Sequence, residues 1–554
     1  METRFARTLI SVLLLGGLVA EASAKDGPRH RISIREVDAQ AKFFDASTRM
    51  EFVPRGFNYT RLKRLRKHSD RTFMSYHSTF NRGAYDSAGA QKALEAMARE
   101  KYNTVRVFLN HATEGGIANP GQPLSREYIE NFVDFLRLAK DNGIVVLPTI
   151  DWLPIPQPTG VNRSLWCPDF QCTAAHVLTE EGVKANAEFF RAFIRKMKKA
   201  NAPFDALLGY ELRNELTFES DLPPLTLTRG SVRTANGRTY VLSDPRQKQL
   251  MLEEGLVFWL NEMRKAIRAE DPDALVGVGL VPPQEPHPIR TGDHRLSITR
   301  PVIEKSELDF VDVHIYPETN RLGMKAFAEN FGFSHTTQKP IILGEFGALV
   351  AMYTTVEAAT RAMVELQQAS VEFGIDGWLL WAWDADRAKE TWNAVDGGGM
   401  MGRALAPASR ATARDPLAAD VVPDRPTLTV RASATQKDTP PELAIDGTLA
   451  HWGAGAFAPQ WIEVRLAPPG RLSAIEFLVS QSPAGHTIHE LWLRRTGGRF
   501  VKVHTFDGHT EDSERLRYNF EGASEAVEAI RIVTVKSPSW VGWREIELIP
   551  WSAE

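Results

Sequence analysis

Two short strings hold the residues most able to do chemistry: Tyr210-Glu211-Leu212-Arg213-Asn214-Glu215 and Ile341-Ile342-Leu343-Gly344-Glu345-Phe346-Gly347. Each ends an apolar run in a glutamate. A buried strand that finishes in a carboxylate aims that group into a cavity, because an unpaired charge is costly in a core. Two such strands suggest a carboxylate pair acting across one substrate, the minimum equipment for cleaving a glycosidic bond. Taken alone, the pair fits an inverting enzyme, a retaining enzyme or a structural coincidence.

These glutamates need a scaffold. Eight apolar runs, Phe52–Tyr59, Asn103–Asn110, Ile144–Asp151, Ala206–Glu215, Leu275–Val281, Phe310–Pro317, Ile341–Gly347 and Gly377–Asp384, alternate with amphipathic stretches such as Gln91–Lys101, Glu127–Asn142, Glu181–Ala200, Gln247–Ala269 and Val356–Phe373. Near-continuous apolar strands are buried on both faces, as in a parallel sheet. Eight of them with intervening helices predict an α/β fold, a (β/α)8 TIM barrel. An open doubly wound sheet would show a glycine-rich phosphate turn after its first strand, and Arg55-Gly56-Phe57-Asn58-Tyr59 is not one. No final barrel helix is visible after Asp384; Thr391–Arg403 reads as loop.

A barrel of this kind works at the C-terminal ends of its strands. Asn58, Arg106, Asn110, Asp151, Asn214, Glu215, His314, Tyr316, Glu345 and Trp381 fall at those ends. Any one of them alone reads as a satisfied core residue; so many polar groups on one rim predict a site. Glu211 and Arg213 alternate with Glu215 and read as a buried ion pair or barrel lining, and Glu285 as a substrate contact at most. Trp152, Trp166, Trp383 and Trp392 could stack on sugar rings or simply pack.

Residues 50–385 resemble retaining glycoside hydrolases of clan A, most closely family 5, the cellulase and mannanase family. The resemblance rests on Arg106 in Asn-Thr-Val-Arg-Val, Asn214-Glu215, His314-Ile315-Tyr316, Glu345 in Gly-Glu-Phe-Gly, and Trp381. It implies Glu215 as acid/base at the end of strand 4 and Glu345 as nucleophile at the end of strand 7. Arg106 and Tyr316 would orient Glu345, Asn214 would reach the sugar 2-hydroxyl, and His314 would sit near both carboxylates. Trp381 would floor the sugar site, or else line the barrel. Where the family presents a histidine, the third strand ends Pro148-Thr149-Ile150-Asp151-Trp152, so Asp151 or Trp152 shapes that corner of the substrate site. No cofactor is expected for catalysis.

The chain has 554 residues, too many for one ordinary core. A formal net charge of −3 removes any global basic excess, so nucleic acid is not an expected partner. Arg4 and Arg7, the apolar run Thr8–Ala20 and the small residues Ala22-Ser23-Ala24 read as a cleavable signal peptide over 1–24, too short to span a membrane. A secreted or periplasmic protein starting near Lys25 is expected. In that compartment Cys167 and Cys172 read as a disulfide, with free thiols as the alternative. The catalytic domain is assigned to 25–400 and a linker to the Ala-, Arg-, Pro- and Asp-rich stretch 401–425.

From 426 to 554, short alternating runs separated by Gly, Pro, Ser and Asp predict an antiparallel β-sandwich. Ala444-Ile445-Asp446-Gly447-Thr448, Trp452, Gln460-Trp461-Ile462 and Ser539-Trp540-Val541-Gly542-Trp543-Arg544-Glu545-Ile546 resemble the discoidin-like jelly-roll used as a carbohydrate-binding module of family 32. Such domains often hold a structural calcium ion, for which Asp446, Thr448 and Glu545 are the oxygen ligands on offer; otherwise Asp446-Gly447 is a turn and Glu545 a surface charge. The expected activity is retaining hydrolysis of a β-linked poly- or oligosaccharide. Transglycosylation at the same site, or a catalytically dead glycan-binding barrel, are the alternatives.

Overall fold

The computed structural model describes residues 30–37, 40–60, 77–109, 116–117, 123–150, 153, 174–283, 294–317, 324–333, 338–385, 391–407, 426–446, 450–522 and 524–551. The signal segment 1–24, Asn110, Asp151, Trp152, Trp166, Cys167, Cys172, Glu285 and Thr448 lie outside the described residues.

A parallel sheet closes on itself. Its strands are β1 (Arg55–Tyr59), β2 (Thr104–Leu109), β3 (Val145–Ile150), β4 (Tyr210–Glu211), β5 (Val276–Gly277 continuing as Gly279–Leu280), β6 (Val311–Ile315), β7 (Ile341–Phe346) and β8 (Ile375–Leu380). The first half of β5 pairs with β4 and the second half with β6, while β8 pairs with β1. The interrupted fifth strand is therefore the closing seam. Outside run α1 (Ser87–Arg99), α2 (Arg126–Asp141), α3 (Glu180–Lys199), α4 (Pro245–Glu270), α5 (Arg300–Lys305), α6 (Met324–Phe331), α7 (Val356–Val371) and α8 (Asp396–Ala404). α2 shows why such segments are helical. Ser125 caps it by accepting from the Tyr128 amide, and Tyr128, Ile129, Phe132, Phe135, Leu136 and Ala139 form one buried stripe.

Three features depart from the sequence reading. An unforeseen antiparallel hairpin, Ile32–Val37 with Gln40–Asp45, packs Ile32 and Phe43 on Leu147, Leu208, Leu275, Phe310, Ile342 and Leu379. It plugs the end opposite the strand C-termini, where those side chains would otherwise meet water. The final barrel helix does exist as α8, hidden because Gly397, Gly398 and Gly399 at its start all take left-handed backbone, which helical periodicity does not register. The stretch expected as linker from 401 begins inside it: Met401, Gly402, Leu405 and Ala406 are buried against the barrel, and 408–425 lie outside the described residues.

The second half is a sandwich of two antiparallel sheets around its own core of Trp452, Ile462, Val464, Phe477, Leu491, Ile530, Ile532 and Trp543, among others. One sheet has the order β9 (Thr427–Ala432), β11 (Gln460–Gly470), β16 (Val527–Lys536), β13 (Gly485–Arg495), β14 (Phe500–Thr510). The other runs β10 (Trp452–Gly453), β17 (Gly542–Pro550), β12 (Leu472–Val479), β15 (Arg515–Asn519). The outer face of this second sheet meets the start of α7: Arg361 lies 3.2 Å from Glu547, and Arg515 donates to the Thr354 carbonyl. Glu545, an expected calcium ligand, is buried at this contact beside Thr354, Thr355, Glu476 and Glu547. Neither Asp446 nor Glu545 belongs to a close cluster of three acidic or histidine side chains among the described residues.

Candidate active site

Arg106 is the hub. β2 is buried along its whole length, and the alternation of a strand turns Arg106 into the barrel. Its Nε and Nη2 bond the two oxygens of Glu211 at 2.9 and 2.7 Å. Nη1 reaches Glu345 Oε1 at 2.7 Å and Asn58 Oδ1 at 2.9 Å, and Nη2 also donates to Asn214 Oδ1 at 2.8 Å. Asp312 lies 3.2 Å from Nε. Burial alone would lower the arginine's pKa; Glu211, Glu345 and Asp312 outweigh it and hold the guanidinium charged.

Glu345 sits near the end of β7 with both oxygens engaged, one by Arg106 and the other by the Tyr316 hydroxyl, which donates at 2.7 Å. Burial, then the negative charge of Glu345, pushes the Tyr316 phenol far up, so it stays a donor. Gly344, just before Glu345, is required by close approach. A Cβ there would lie 1.8 Å from the Asp312 carboxylate, whose other oxygen accepts from the Gly344 amide at 2.6 Å. Gly279 in β5 plays the same part for Glu211, since its Cβ would come within 2.5 Å of Oε1.

Glu215 does not end a regular strand as expected. β4 stops at Glu211, and the chain reaches Glu215 in left-handed backbone at φ 44°. That conformation costs a non-glycine residue about 1 kcal/mol or more. It is fixed by flanking bonds from Asn214 N to the Ile150 carbonyl and from Leu216 N to the Gly279 carbonyl. The turn lifts Glu215 over the barrel mouth, where its side chain is one-quarter exposed. Its Oε1 lies 3.1 Å from His314 Nδ1, and Arg295 approaches Oε2 at 3.4 Å. His314 Nδ1 is also 3.5 Å from Glu345 Oε2. One oxygen each of Glu215 and Glu345 and a nitrogen of His314 all lie within 4.8 Å of one another. Burial would lower the pKa of His314, but the charges of Glu345 and Asp312, with the Glu215 contact at Nδ1, raise it to about 10. That shift favours the imidazolium form.

The structure thus gathers Asn58, Arg106, Asn214, Glu215, His314, Tyr316 and Glu345 in one network, and it adds Glu211, Asp312 and Thr149. Glu211 pairs with Arg106 and accepts from Thr149 at 2.8 Å. Arg213 instead donates to the Asn214 carbonyl, so the expected pair is not formed. Burial, partly offset by Arg106 and reinforced by Asp312, raises Glu211 to about 7. The signal for Asp312 was its two-residue spacing from His314 on an otherwise apolar strand. Glu211, Asp312 and His314 also stand close enough to share an ion, but the Arg106 guanidinium already lies against both carboxylates.

Trp381 follows β8, half-buried, with its ring edge-on to Phe108 at 5.5 Å and to His77 at 6.0 Å. His77 lies flat on Phe108 at 3.9 Å, so three rings form one wall. Trp383 packs on Phe57 at 5.1 Å, and Trp392 donates to the Tyr353 carbonyl; these two are anchored in the scaffold.

The family model described as cellulase (glycosyl hydrolase family 5) matches residues 67–387. Among solved structures, the exo-β-1,4-mannosidase Op5Man5 from Opitutaceae bacterium strain TAV5 is 18% identical, with 63% of this chain and 55% of that chain covered and a TM-score of 0.40. The β-mannanase of the blue mussel Mytilus edulis is 16% identical, covering 68% of this chain and 96% of its own, also at a TM-score of 0.40. The family 32 carbohydrate-binding module of C. perfringens NanJ, solved with galactose, is 21% identical over 22% of this chain and 92% of its own, at a TM-score of 0.20. No curated protein matches the sequence.

Proposed function

The chain belongs to glycosyl hydrolase family 5, and from that premise we propose that it is an exported retaining β-glycoside hydrolase acting on a poly- or oligosaccharide. The observation that carries the proposal is the carboxylate separation. One oxygen of Glu215 and one of Glu345 lie within 4.8 Å of each other, with His314 Nδ1 at 3.1 Å from the first residue and 3.5 Å from the second. This close approach supports the narrow carboxyl pair of a double displacement (~5–5.5 Å) over the wider spacing (~6.5–9.5 Å) with which an inverting enzyme seats a water.

In the first step a Glu345 oxygen attacks the anomeric carbon as the glycosidic C–O bond breaks, and Glu215 gives its proton to the departing oxygen. In the second step Glu215 takes a proton from water, whose oxygen displaces Glu345 and restores the configuration. Arg106 and Tyr316 each bond one oxygen of Glu345 and hold it aimed. The His314 charge between the two carboxylates helps the shared site tolerate both. Asn214, whose carbonyl oxygen is tied to Arg106, is set to address the 2-hydroxyl through its amide. Trp381 offers the sugar its ring.

Azide tests the two roles. Glu345→Gly and Glu215→Ala should both be rescued on an activated aryl glycoside, giving glycosyl azides of opposite anomeric configuration. Activity within a few-fold of wild type in either variant without azide would overturn the assignment. Export belongs to the same proposal: residues 1–24 direct secretion, Cys167 and Cys172 pair afterwards, and the sandwich binds glycan. N-terminal sequencing of the exported protein should begin near Lys25, and thiol labelling of that protein should find neither cysteine reactive.

A further inference from the structure

The outer face of the five-stranded sheet carries a row with one side chain from each strand. Arg431 on β9 stands opposite Glu463 on β11, which stands opposite Arg531 on β16; Arg531 faces Trp492 on β13, and Trp492 faces Lys502 on β14. In the next row Arg465 and Arg494 flank Ala529. Three arginines converge on the single carboxylate of Glu463: Arg531 at 2.6 Å, Arg431 at 2.8 Å and Arg465 at 3.1 Å. Lys502 pairs with Glu490 and Arg494 with Glu528. Five cations thus face three carboxylates, and two positive charges are left over on a chain whose net charge is negative.

The aromatic rings fix where these charges sit. The Arg531 guanidinium lies 4.8 Å from the Trp461 ring centre and 4.3 Å from that of Phe500, Arg494 lies 5.1 Å from Phe500, and the Lys502 ammonium 6.0 Å from Trp492. Cation–ring contact orders long side chains in advance, which reduces the entropy a ligand must overcome. The side chains of Arg431, Arg465 and Lys502 remain about half exposed.

We propose that this face is a second glycan-binding surface, and that its ligand is an extended polysaccharide bearing uronate carboxylates. The guanidinium fork matches a carboxylate bidentately, and surplus arginine charge selects for it. Arg431 and Arg531 close on Glu463 from either side, so their heads form one cationic centre, with Lys502 two strands further along the same row. The row spans four strand spacings, about 19 Å, a flat track for a strand; a rounded duplex would touch it along one line only. An acidic chain held here stays near the barrel joined to the same polypeptide. This surface stands or falls independently of the roles of Glu215 and Glu345.

The test is binding of the full chain to polygalacturonate, neutral mannan and double-stranded DNA by affinity electrophoresis at several ionic strengths. Polygalacturonate should retard the protein most, and the effect should fade with salt. The double variant Arg431→Glu/Lys502→Glu should bind on the order of tenfold more weakly, with an unchanged near-ultraviolet circular dichroism spectrum. Arg431→Gln alone should give a smaller loss in the same direction, which keeps the test usable if the double variant misfolds. Trp540→Ala, on a loop at the end of the sandwich, should bind as wild type. Equal retardation by mannan or DNA, undiminished binding in both arginine variants, or loss of binding in Trp540→Ala would each overturn the proposal.

Discussion

In the barrel one guanidinium, Arg106, is surrounded by the carboxylates of Glu211, Asp312 and Glu345; in the sandwich one carboxylate, Glu463, is surrounded by the guanidiniums of Arg431, Arg465 and Arg531. The stoichiometry is the same with the signs exchanged, and the surroundings differ. Arg106 and its partners are almost wholly buried, so the excess negative charge has no water to screen it. The system answers by raising Glu211 to about 7 and His314 to about 10. Around Glu463 the arginine heads reach solvent. Burial tends to raise its pKa, but hydrogen bonds from Arg431, Arg531 and Arg465 bring it down to about 2, so the carboxylate is ionised at any ordinary pH. An unbalanced cluster that is sealed becomes a device for setting protonation; an unbalanced cluster that is open becomes a surface.

The largest expected difference is in turnover. Glu345→Gln should lose kcat by several orders of magnitude, whereas Glu463→Gln, in the other domain, should leave kcat/KM on a soluble aryl glycoside within about twofold. A matching loss in Glu463→Gln would erase the contrast. Next comes stability. Arg106→Met strands three carboxylates in the interior and should cost about 3–5 kcal/mol in denaturant unfolding of the barrel. Glu463→Gln leaves solvated arginines and should cost about 1 kcal/mol in the sandwich.

Acid should separate the clusters by sign. Glu211 and His314 have folded pKa values above their unfolded ones. Their contribution is complete at low pH and is lost as pH rises, between about 4.5 and 7 for Glu211 and between about 6.5 and 10 for His314. Glu463 is the reverse: its contribution is present above about 4.5 and lost as pH falls towards 2. Calorimetry across pH should show the barrel transition gaining on the sandwich transition as the solution is acidified from neutrality. Parallel movement of both would break the comparison. The smallest effect is expected from Glu211→Gln, which keeps a hydrogen-bonding group of the same shape beside Arg106. It should lower kcat by about tenfold or less and flatten the neutral part of the stability profile.

The repeating βα pattern, the two glutamates and the resemblance around Arg106, Asn214, His314, Tyr316 and Trp381 were all legible along the chain, because strand alternation and apolar periodicity are local. The N-terminal hairpin was not, since nothing in Ile32–Asp45 signals that a barrel end needs a plug. Nor was α8, because three left-handed glycines interrupt its pattern.

By itself, then, the sequence determined which residue types stand at the ends of buried strands, and hence the class of chemistry. Only the tertiary structure decided which charge answers which. Arg106 meets Glu211 across 105 residues and Glu345 across 239, and closure at the broken fifth strand brings them to one point. The same holds for Glu463, which meets Arg531 only through cross-strand register. Ionic partners are chosen by distance in space, and hydrophobic periodicity fixes which face a side chain takes without fixing what lies opposite.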